Sequence, residues 1–174
     1  MDVYVYSLNS FVKGRTVGGN PAGVVLIKGD GHNGSSVFTH ASFTPRLSSS
    51  RTMQRIARAV GFSETAFVRP SGENAFDVRF FTPTQEVDLC GHATIAWAYF
   101  LSRRGLESGM YHQRTKACSR PLEIQITDEG TISMEQALPQ FYDVLERRIV
   151  AECLRLPEEA LMVPGKGNTK LPIQ

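Results

Sequence analysis

The sequence is poor in cysteine, and the few cysteines that it has lie far apart. Among 174 residues there are three, Cys90, Cys118 and Cys153, with no Cys-x-x-Cys pair. An odd number of widely spaced cysteines argues against a disulfide framework and against a zinc site. We therefore expect a protein of a reducing compartment, that is, a cytoplasmic protein, with no bound metal.

Long apolar runs and a strong charge bias are also missing. The longest apolar stretch, near residues 93–101, is too short to cross a bilayer, so we expect no membrane association. Nineteen Lys and Arg residues against 17 Asp and Glu residues give a net charge of +2, which leaves no footprint for nucleic acid. No phosphate-binding loop or dinucleotide fingerprint is present. These absences argue against nucleic acid, a membrane and a dinucleotide as partners.

The most informative segment surrounds the sequence Cys90-Gly91-His92. A polar, strand-like approach ends here, and the apolar stretch that follows has the length of a helix. Because this helix is apolar on all sides, we expect it to be buried. Its first turn offers free N–H groups and the positive end of the helix dipole, which favour an anion. Gly91, Ala93 and Thr94 are therefore candidate substrate-binding residues. The alternative is a buried helix that begins with a tight glycine turn and has no site.

A second informative segment begins at Glu64. This residue opens a stretch, residues 64–68, that is typical of a buried strand. A carboxylate in such a place is unusual unless it is paired, hydrogen-bonded or functional. Glu64 is therefore a candidate general acid or base. The alternative is a glutamate at an exposed strand start.

A third segment, Gly18-Gly19-Asn20-Pro21, precedes an apolar run. Pro21 restricts Asn20 to an extended backbone, so that Asn20 could present its amide to a ligand. A hairpin turn between two strands is the alternative, and local sequence favours it.

The rest of the sequence predicts an α+β fold. Apolar residues at helical spacing predict a helix at 50–60, capped by Ser49 or Ser50 and ended by Gly61. Residues 28–50 are expected to form an exposed loop, with His32 and His40 at the surface. An amphipathic helix is predicted at 143–154. Strands are predicted at 3–7, 22–27, 64–69, 75–81, 111–117, 122–127 and 131–136.

Taken together, the motifs resemble those of the phenazine-biosynthesis isomerase family (PhzF-like). They read GNPAGVV at 19–25, SETAFV at 63–68, FFTP at 80–83 and EVDLCGHAT at 86–94. The family shares its fold with diaminopimelate epimerase and proline racemase. The similarity runs from the N-terminus to about Gln136.

The resemblance implies a mixed curved β-sheet wrapped around a central buried helix (diaminopimelate epimerase-like). Family members have two such halves with the active site between them. We accordingly expect a PhzF-like N-terminal domain at 1–140 and the beginning of a second domain, largely missing, at 141–174. The implied chemistry is cofactor-independent acid/base proton transfer on a small carboxylate metabolite. Glu64 would be the proton shuttle, and His92 with Gly91 would orient the substrate.

Two other functions are open at this point. Cys-Gly-His also resembles the proline racemase motif, which would make Cys90 one base of a racemase or epimerase. That chemistry needs a second thiol, and the presence of Glu64 favours the isomerase instead. A chain that lacks the acidic residue of the family's second half could also be a catalytically inactive binding module. Because one wall of the cleft is missing, we expect association with a second copy, as a homodimer, or with a complementary half.

Overall fold

The chain is described here by a computed structural model that covers residues 3–14, 17–29, 44, 47, 49–140, 142, 144–161 and 170–172. It divides into two compact units, Met1–Glu135 and Gln136–Gln174. The larger unit contains a mixed sheet of eight strands and two helices. Its strands are β1 (Tyr6–Lys13), β2 (Val17–Leu26), β3 (Glu64–Pro70), β4 (Ala75–Phe81), β5 (Glu86–Val87), β6 (Gly109–Arg114), β7 (Leu122–Ile126) and β8 (Ile132–Met134), and its helices are α1 (Ser50–Val60) and α2 (Gly91–Ser102).

The strand order in the sheet is β1-β2-β3-β4-β6-β7-β8, and β5 pairs with β4. Two neighbouring pairs are parallel, β2 with β3 and β4 with β6, and the other pairs are antiparallel. Each parallel pair is joined through a helix, α1 in the first case and α2 in the second. Both connections advance in the same direction across the sheet, but β2 and β4 run in opposite directions. Right-handed connections of this kind must place the two helices on opposite faces of the sheet.

The core confirms that the helices occupy opposite faces. Alternate side chains of the central strands contact different helices, as expected for a strand period of two. Val25 and Phe67 pack with Met53 and Ala57 of α1. The neighbouring residues of the same strands pack in a second cluster with Trp97 and other residues of α2. As a result β2 and β3 are buried on both faces where they pair.

Helix α1 has the bounds that the sequence predicts. The Ser49 hydroxyl accepts a hydrogen bond from the N–H of Thr52 at 3.4 Å, which satisfies one of the free donors of the first turn. Gly61 ends the helix in the left-handed region at φ 75°, where glycine carries no steric penalty.

Helix α2 is the buried helix that the apolar stretch predicts, and the curved sheet surrounds it. Trp97 is completely buried, and its indole N–H donates to the side-chain oxygen of Gln113 on β6 at 2.8 Å. Tyr99 is the exception on this helix, being 48% exposed. The expected α+β architecture, a mixed curved sheet around a central buried helix, is therefore confirmed.

Three sequence predictions need correction. The Gly18–Pro21 segment is not a turn but part of β2, where Asn20 pairs with Ser10 of β1 and Pro21 with Asn9. Proline has no N–H to donate to a neighbouring strand. Pro21 is tolerated here because β3 pairs with β2 only from Ala22 onward.

The predicted exposed loop at 28–50 is wrong in part. Thr44 and Leu47 are buried, and Thr44 forms a parallel bridge with Ile27 through the hydrogen bond from its N–H to the Leu26 carbonyl at 2.9 Å. His32 and His40 lie outside the described residues.

The smaller unit contains a two-stranded sheet, a helix and a short 3-10 helix. Strand β9 (Val144–Glu146) pairs with β10 (Lys170–Pro172), and between them lie α3 (Arg147–Leu154) and the 3-10 helix Glu158–Leu161. The predicted helix at 143–154 therefore starts later than expected, because its first residues are taken up by β9. In the part of the chain that the structure describes, every helix is too short or too polar to span a bilayer.

Candidate active site

Three chain segments meet at one end of the β2–β3 pair. The parallel register places Ala22 of β2 beside Glu64, the first residue of β3. Helix α2 begins at Gly91, so that His92 lies in its first turn. The fold thereby brings together residues that are 28 positions apart in the sequence.

The candidate catalytic residues Glu64 and His92 face each other. The carboxylate oxygen Oε2 of Glu64 lies 3.3 Å from Nε2 of His92, and their side chains are 22% and 10% exposed. This leaves the carboxylate accessible from solvent while most of the imidazole is enclosed. The pair is thus placed as a shared proton site would require, and the roles of its two members stay predictions.

Cys90 lies beside Glu64 and His92, and the three residues form a cluster. It occupies the position before the first helical residue of α2, is 8% exposed, and places Sγ 3.2 Å from Nδ1 of His92. Burial raises the pKa of the Cys90 thiol to about 11, and the nearby Glu64 carboxylate adds to the increase. The backbone N–H groups of Ala93 and His92 act in the opposite direction and lower the pKa of the thiol, although no side-chain capping hydrogen bond forms. The thiol is therefore protonated at neutral pH.

When Glu64 is ionised and His92 is neutral, the contacts of His92 select which ring nitrogen carries the proton. An ionised Glu64 can only accept hydrogen bonds, so Nε2 must be the donor to it. In a neutral imidazole Nδ1 is then an acceptor, and the protonated thiol of Cys90 donates to it. The order of donors runs from Cys90 through His92 to Glu64.

Asn20 reaches the cluster through Ser63. The Ser63 hydroxyl lies 3.4 Å from Nε2 of His92 and donates to Oδ1 of Asn20 at 3.1 Å. Sequence reasoning placed Asn20 near a ligand but did not single out Ser63. Its position directly before Glu64 in the SETAFV motif is the signal that could have identified it.

Ser10 is a second residue that sequence reasoning missed. Its buried hydroxyl donates to the backbone carbonyl of His92 at 2.8 Å and so joins β1 to the first turn of α2. A serine in an alternating strand gives no sequence signal of such a contact. Ser10 also lines a cavity of about 520 Å³, and neither Glu64 nor His92 is among the residues that line this cavity. The Glu64–His92 pair therefore lies outside this cavity.

The first turn of α2 contains the remaining candidates, and they differ in what they can offer. The N–H and the hydroxyl of Thr94 both donate to the Cys90 carbonyl, at 3.0 and 2.8 Å, and the side chain is buried. Contrary to our expectation, its N–H is already engaged and cannot also bind a substrate carboxylate. Ala93 is buried as a side chain. A Cβ on Gly91 would meet nothing closer than Sδ of Met134 at 3.9 Å, so packing within the described residues does not require glycine there.

The donor set could also hold a cation. Glu64, Cys90 and His92 each offer one potential ligand atom, and these atoms lie within 4.8 Å of one another. Carboxylate, thiolate and imidazole are all zinc ligands.

Comparison with known proteins gives a consistent picture. Residues 11–164 match the PhzC-PhzF family model, described as phenazine biosynthesis-like protein. The uncharacterized isomerase YfhB of Bacillus subtilis is 40% identical over 145 residues, which is 81% of this chain and 44% of that protein. The uncharacterized isomerase YddE of Escherichia coli is 35% identical over all of this chain and 52% of its own length. The chain thus spans about half the length of these curated relatives.

Solved structures agree with the sequence matches. A phenazine biosynthesis protein of the PhzF family from Bacillus anthracis superposes with a TM-score of 0.68 at 34% identity, over 93% of this chain and 50% of that one. A structure from Pseudomonas aeruginosa described as a predicted epimerase has a TM-score of 0.69 at 18% identity, over 99% of this chain and 55% of that one, and shows the shared fold. From the family match and the close relatives, we conclude that the chain belongs to the PhzC-PhzF family of phenazine biosynthesis-like proteins.

Proposed function

We propose that this chain supplies the N-terminal wall of the active site in a PhzF-like isomerase, which moves a proton between carbon atoms of a small carboxylate metabolite without a cofactor. The observation that carries the proposal is the contact of 3.3 Å between Glu64 and His92 at the start of α2. A partly exposed carboxylate next to a hydrogen-bond donor is suited to abstract and return a proton.

In the proposed reaction Glu64 acts as both base and acid. Its carboxylate takes a proton from a substrate C–H bond, and the electron pair of that bond moves into the substrate. The protonated Glu64, whose side chain is open to solvent and can exchange its proton there, then protonates another carbon of the substrate, so that the carboxylate is restored. The Nε2–H of His92 keeps the carboxylate in place before the first step and can donate to the substrate afterwards.

The first turn of α2 is proposed to hold the substrate carboxylate. The helix dipole and the N–H groups of Gly91, His92 and Ala93 favour an anion there. Since protein packing does not require glycine at position 91, the missing side chain leaves room for a ligand to approach the backbone. Asn20, joined to the cluster through Ser63, would contact the polar end of the substrate.

A cysteine-dependent racemase is less well supported by this geometry. Such an enzyme needs Cys90 as a thiolate base, and burial raises the pKa of this thiol to about 11. At neutral pH the thiol instead donates to Nδ1 of His92. The third function considered, a binding module without catalysis, makes a different prediction in the assay below.

The test is deuterium uptake from D2O into a panel of small amino acids and unsaturated carboxylic acids, followed by NMR. We expect only slow uptake with the unaltered chain, because it supplies one wall of the proposed site, and a further loss of about 100-fold or more with Glu64→Gln, because the amide cannot accept the proton. Glu73→Gln, in the exposed turn between β3 and β4, is the matched control and should leave uptake unchanged. Circular dichroism checks that each variant is folded.

Two results would contradict the proposal. Uptake that survives in folded Glu64→Gln would show that Glu64 is not the proton carrier. Shifts of the Gly91, His92 and Ala93 amide signals with carboxylates, without uptake of deuterium by any of them, would support the binding module.

A further inference from the structure

We propose that Glu64, Cys90 and His92 form a reversible site for a thiophilic divalent cation such as Zn²⁺. The site uses one carboxylate oxygen, the Cys90 sulfur and one ring nitrogen of His92. Binding of the cation does not depend on the catalytic proposal. Only the consequence for activity, given below, rests on the proposed function.

The distances between donor atoms suit a zinc ion. Bond lengths of 2.0–2.3 Å in a tetrahedral site place ligand atoms about 3.3–3.8 Å apart. Sγ of Cys90 lies 3.2 Å from Nδ1 of His92, close to this range, whereas Oε2 of Glu64 lies 3.3 Å from the other ring nitrogen, Nε2, and an ion uses only one of the two. With one ligand atom taken from each residue, the three atoms lie within 4.8 Å of one another, so a rotation of the side chain on the far side of the ring is needed to bring them to one centre.

The chemistry of the donors selects the class of metal. A sulfur and an imidazole nitrogen beside one carboxylate favour zinc over the hard cations calcium and magnesium, which prefer oxygen ligands. Three protein ligands leave a fourth position open, as in exchangeable and catalytic zinc sites rather than structural ones. Glu64, the most exposed of the three, provides the path from solvent.

Binding of the cation releases one proton from the protein. In the free protein the thiol of Cys90 is protonated and donates to His92. The S–H bond breaks, the sulfur forms a bond to Zn²⁺, and the proton passes to solvent. The positive ion also removes the unfavourable proximity of a thiolate to the Glu64 carboxylate.

This proposal departs from the sequence-based expectation of no metal. Cys90 and His92 are two residues apart, which is not a familiar zinc spacing, and the third donor arrives from β3 only through the parallel pairing of β3 with β2. If the proposed function is correct, the cation would occupy both proton-carrying residues and inhibit the enzyme in competition with its substrate.

The experiment uses Co²⁺ as a spectroscopic probe for the zinc site. Cys118→Ala/Cys153→Ala leaves Cys90 as the single thiol, so a sulfur-to-cobalt charge-transfer band in the near ultraviolet can come only from Cys90. We expect this band to saturate at one Co²⁺ per chain and to disappear when one equivalent of Zn²⁺ is added. Zinc affinity is measured in parallel by competition with a chromophoric chelator.

Variants of the other two ligands test the assignment. Glu64→Gln and His92→Gln in the same background should each lower the affinity by about 100-fold or more, since the loss of a direct ligand exceeds the effect of losing an outer hydrogen bond. His112→Gln, on the exposed side of β6, is the matched control and should bind as before.

The proposal fails if no charge-transfer band appears with folded protein. It also fails if the band appears but folded Glu64→Gln and His92→Gln both retain their affinity, because the thiol would then bind cobalt without the other two. Zinc binding with deuterium uptake absent would leave the metal site intact and count against the proposed function alone.

Discussion

Replacing Cys90 by alanine should change how the stability of this chain responds to alkaline pH. The thiol is buried beside Glu64, and burial raises its pKa from an ordinary 9.0 to about 11. The folded chain therefore keeps the thiol proton at pH values where the unfolded chain has released it. The resulting stabilisation is fully present below pH 9 and is lost as pH rises toward 11.

The size of the effect follows from this difference. Between an unfolded pKa of 9.0 and a folded pKa of about 11 lie two pH units. At about 1.4 kcal/mol for each unit, the unaltered chain should lose about 3 kcal/mol that the variant does not lose. At neutral pH the variant is expected to be less stable by about 1 kcal/mol, since a buried sulfur atom is removed. The two stability curves should therefore cross between pH 9 and 11.

The assay is urea denaturation at several pH values from neutral to strongly alkaline, with a reducing agent and a metal chelator in every sample. Burial also raises the pKa of Tyr111, but this residue is present in both proteins, so its contribution cancels in their difference. Cys153→Ala, which removes an exposed thiol, is the matched control and should follow the unaltered chain. Parallel curves for the unaltered chain and Cys90→Ala would refute the reasoning, because Cys90 would then titrate alike in the folded and unfolded states.

Three further predictions concern the core, an ion pair and the small unit. Trp97 is completely buried, so Trp97→Ala should destabilise the chain by about 3–5 kcal/mol in urea denaturation. Tyr99 on the same helix is half exposed, so Tyr99→Ala should destabilise it by less than about 1 kcal/mol. Equal losses of stability in the two variants would contradict the buried-helix architecture. Hydrogen bonds from Arg79 and from Lys116 lower the pKa of Glu86. The ionised Glu86 therefore stabilises the folded chain above pH 4.5, and this stabilisation is lost as the pH falls below 4.5. Glu86→Gln should accordingly lose about 1–2 kcal/mol at neutral pH and show a shallower acid limb, and an unchanged acid limb would count against the pair. Apolar side chains exposed on α3 should cause the chain to associate, so the mass measured by light scattering should rise with protein concentration. Ile149→Lys should lower that mass. A monomer mass that stays constant with concentration would overturn the prediction.

Local signals in the sequence were sufficient for elements whose structure depends on neighbouring residues. The bounds of α1 follow from a serine cap, an apolar stripe and a glycine end, all of which act within the helix itself. The burial of α2 follows from its composition, because a helix without a polar face has no stable position at a surface.

Elements that depend on pairing with another strand could not be predicted in the same way. Gly18 to Pro21 carry a turn signal, yet β1 holds them in a strand through seven paired positions along its length. Residues 144–146 continue a helical pattern but pair with a strand that follows more than twenty residues later. In both cases pairing with a neighbouring strand overrides local preference.

The candidate site likewise contains residues that the sequence indicates and residues that it does not. Glu64 and His92 could be proposed as a pair from motifs that resemble a known family, and the structure places them in contact. Ser10 has no comparable signal, because its hydroxyl donates to a backbone carbonyl that any residue could provide at position 92. A hydrogen bond to the main chain leaves no pattern of residue types to recognise.

The direction of the hydrogen bonds around His92 limits what the thiol can do. With Nε2 donating to Glu64, Nδ1 needs a donor, and the Cys90 thiol supplies it only while it stays protonated. The high pKa of the thiol and the tautomer of the imidazole thus support each other. A thiolate at position 90 would put a negative charge beside an acceptor nitrogen and an ionised carboxylate, which is unfavourable at all three atoms. Only a proton or a cation at this place relieves the repulsion, so that the proposed role of base falls to Glu64 in the metal-free cluster.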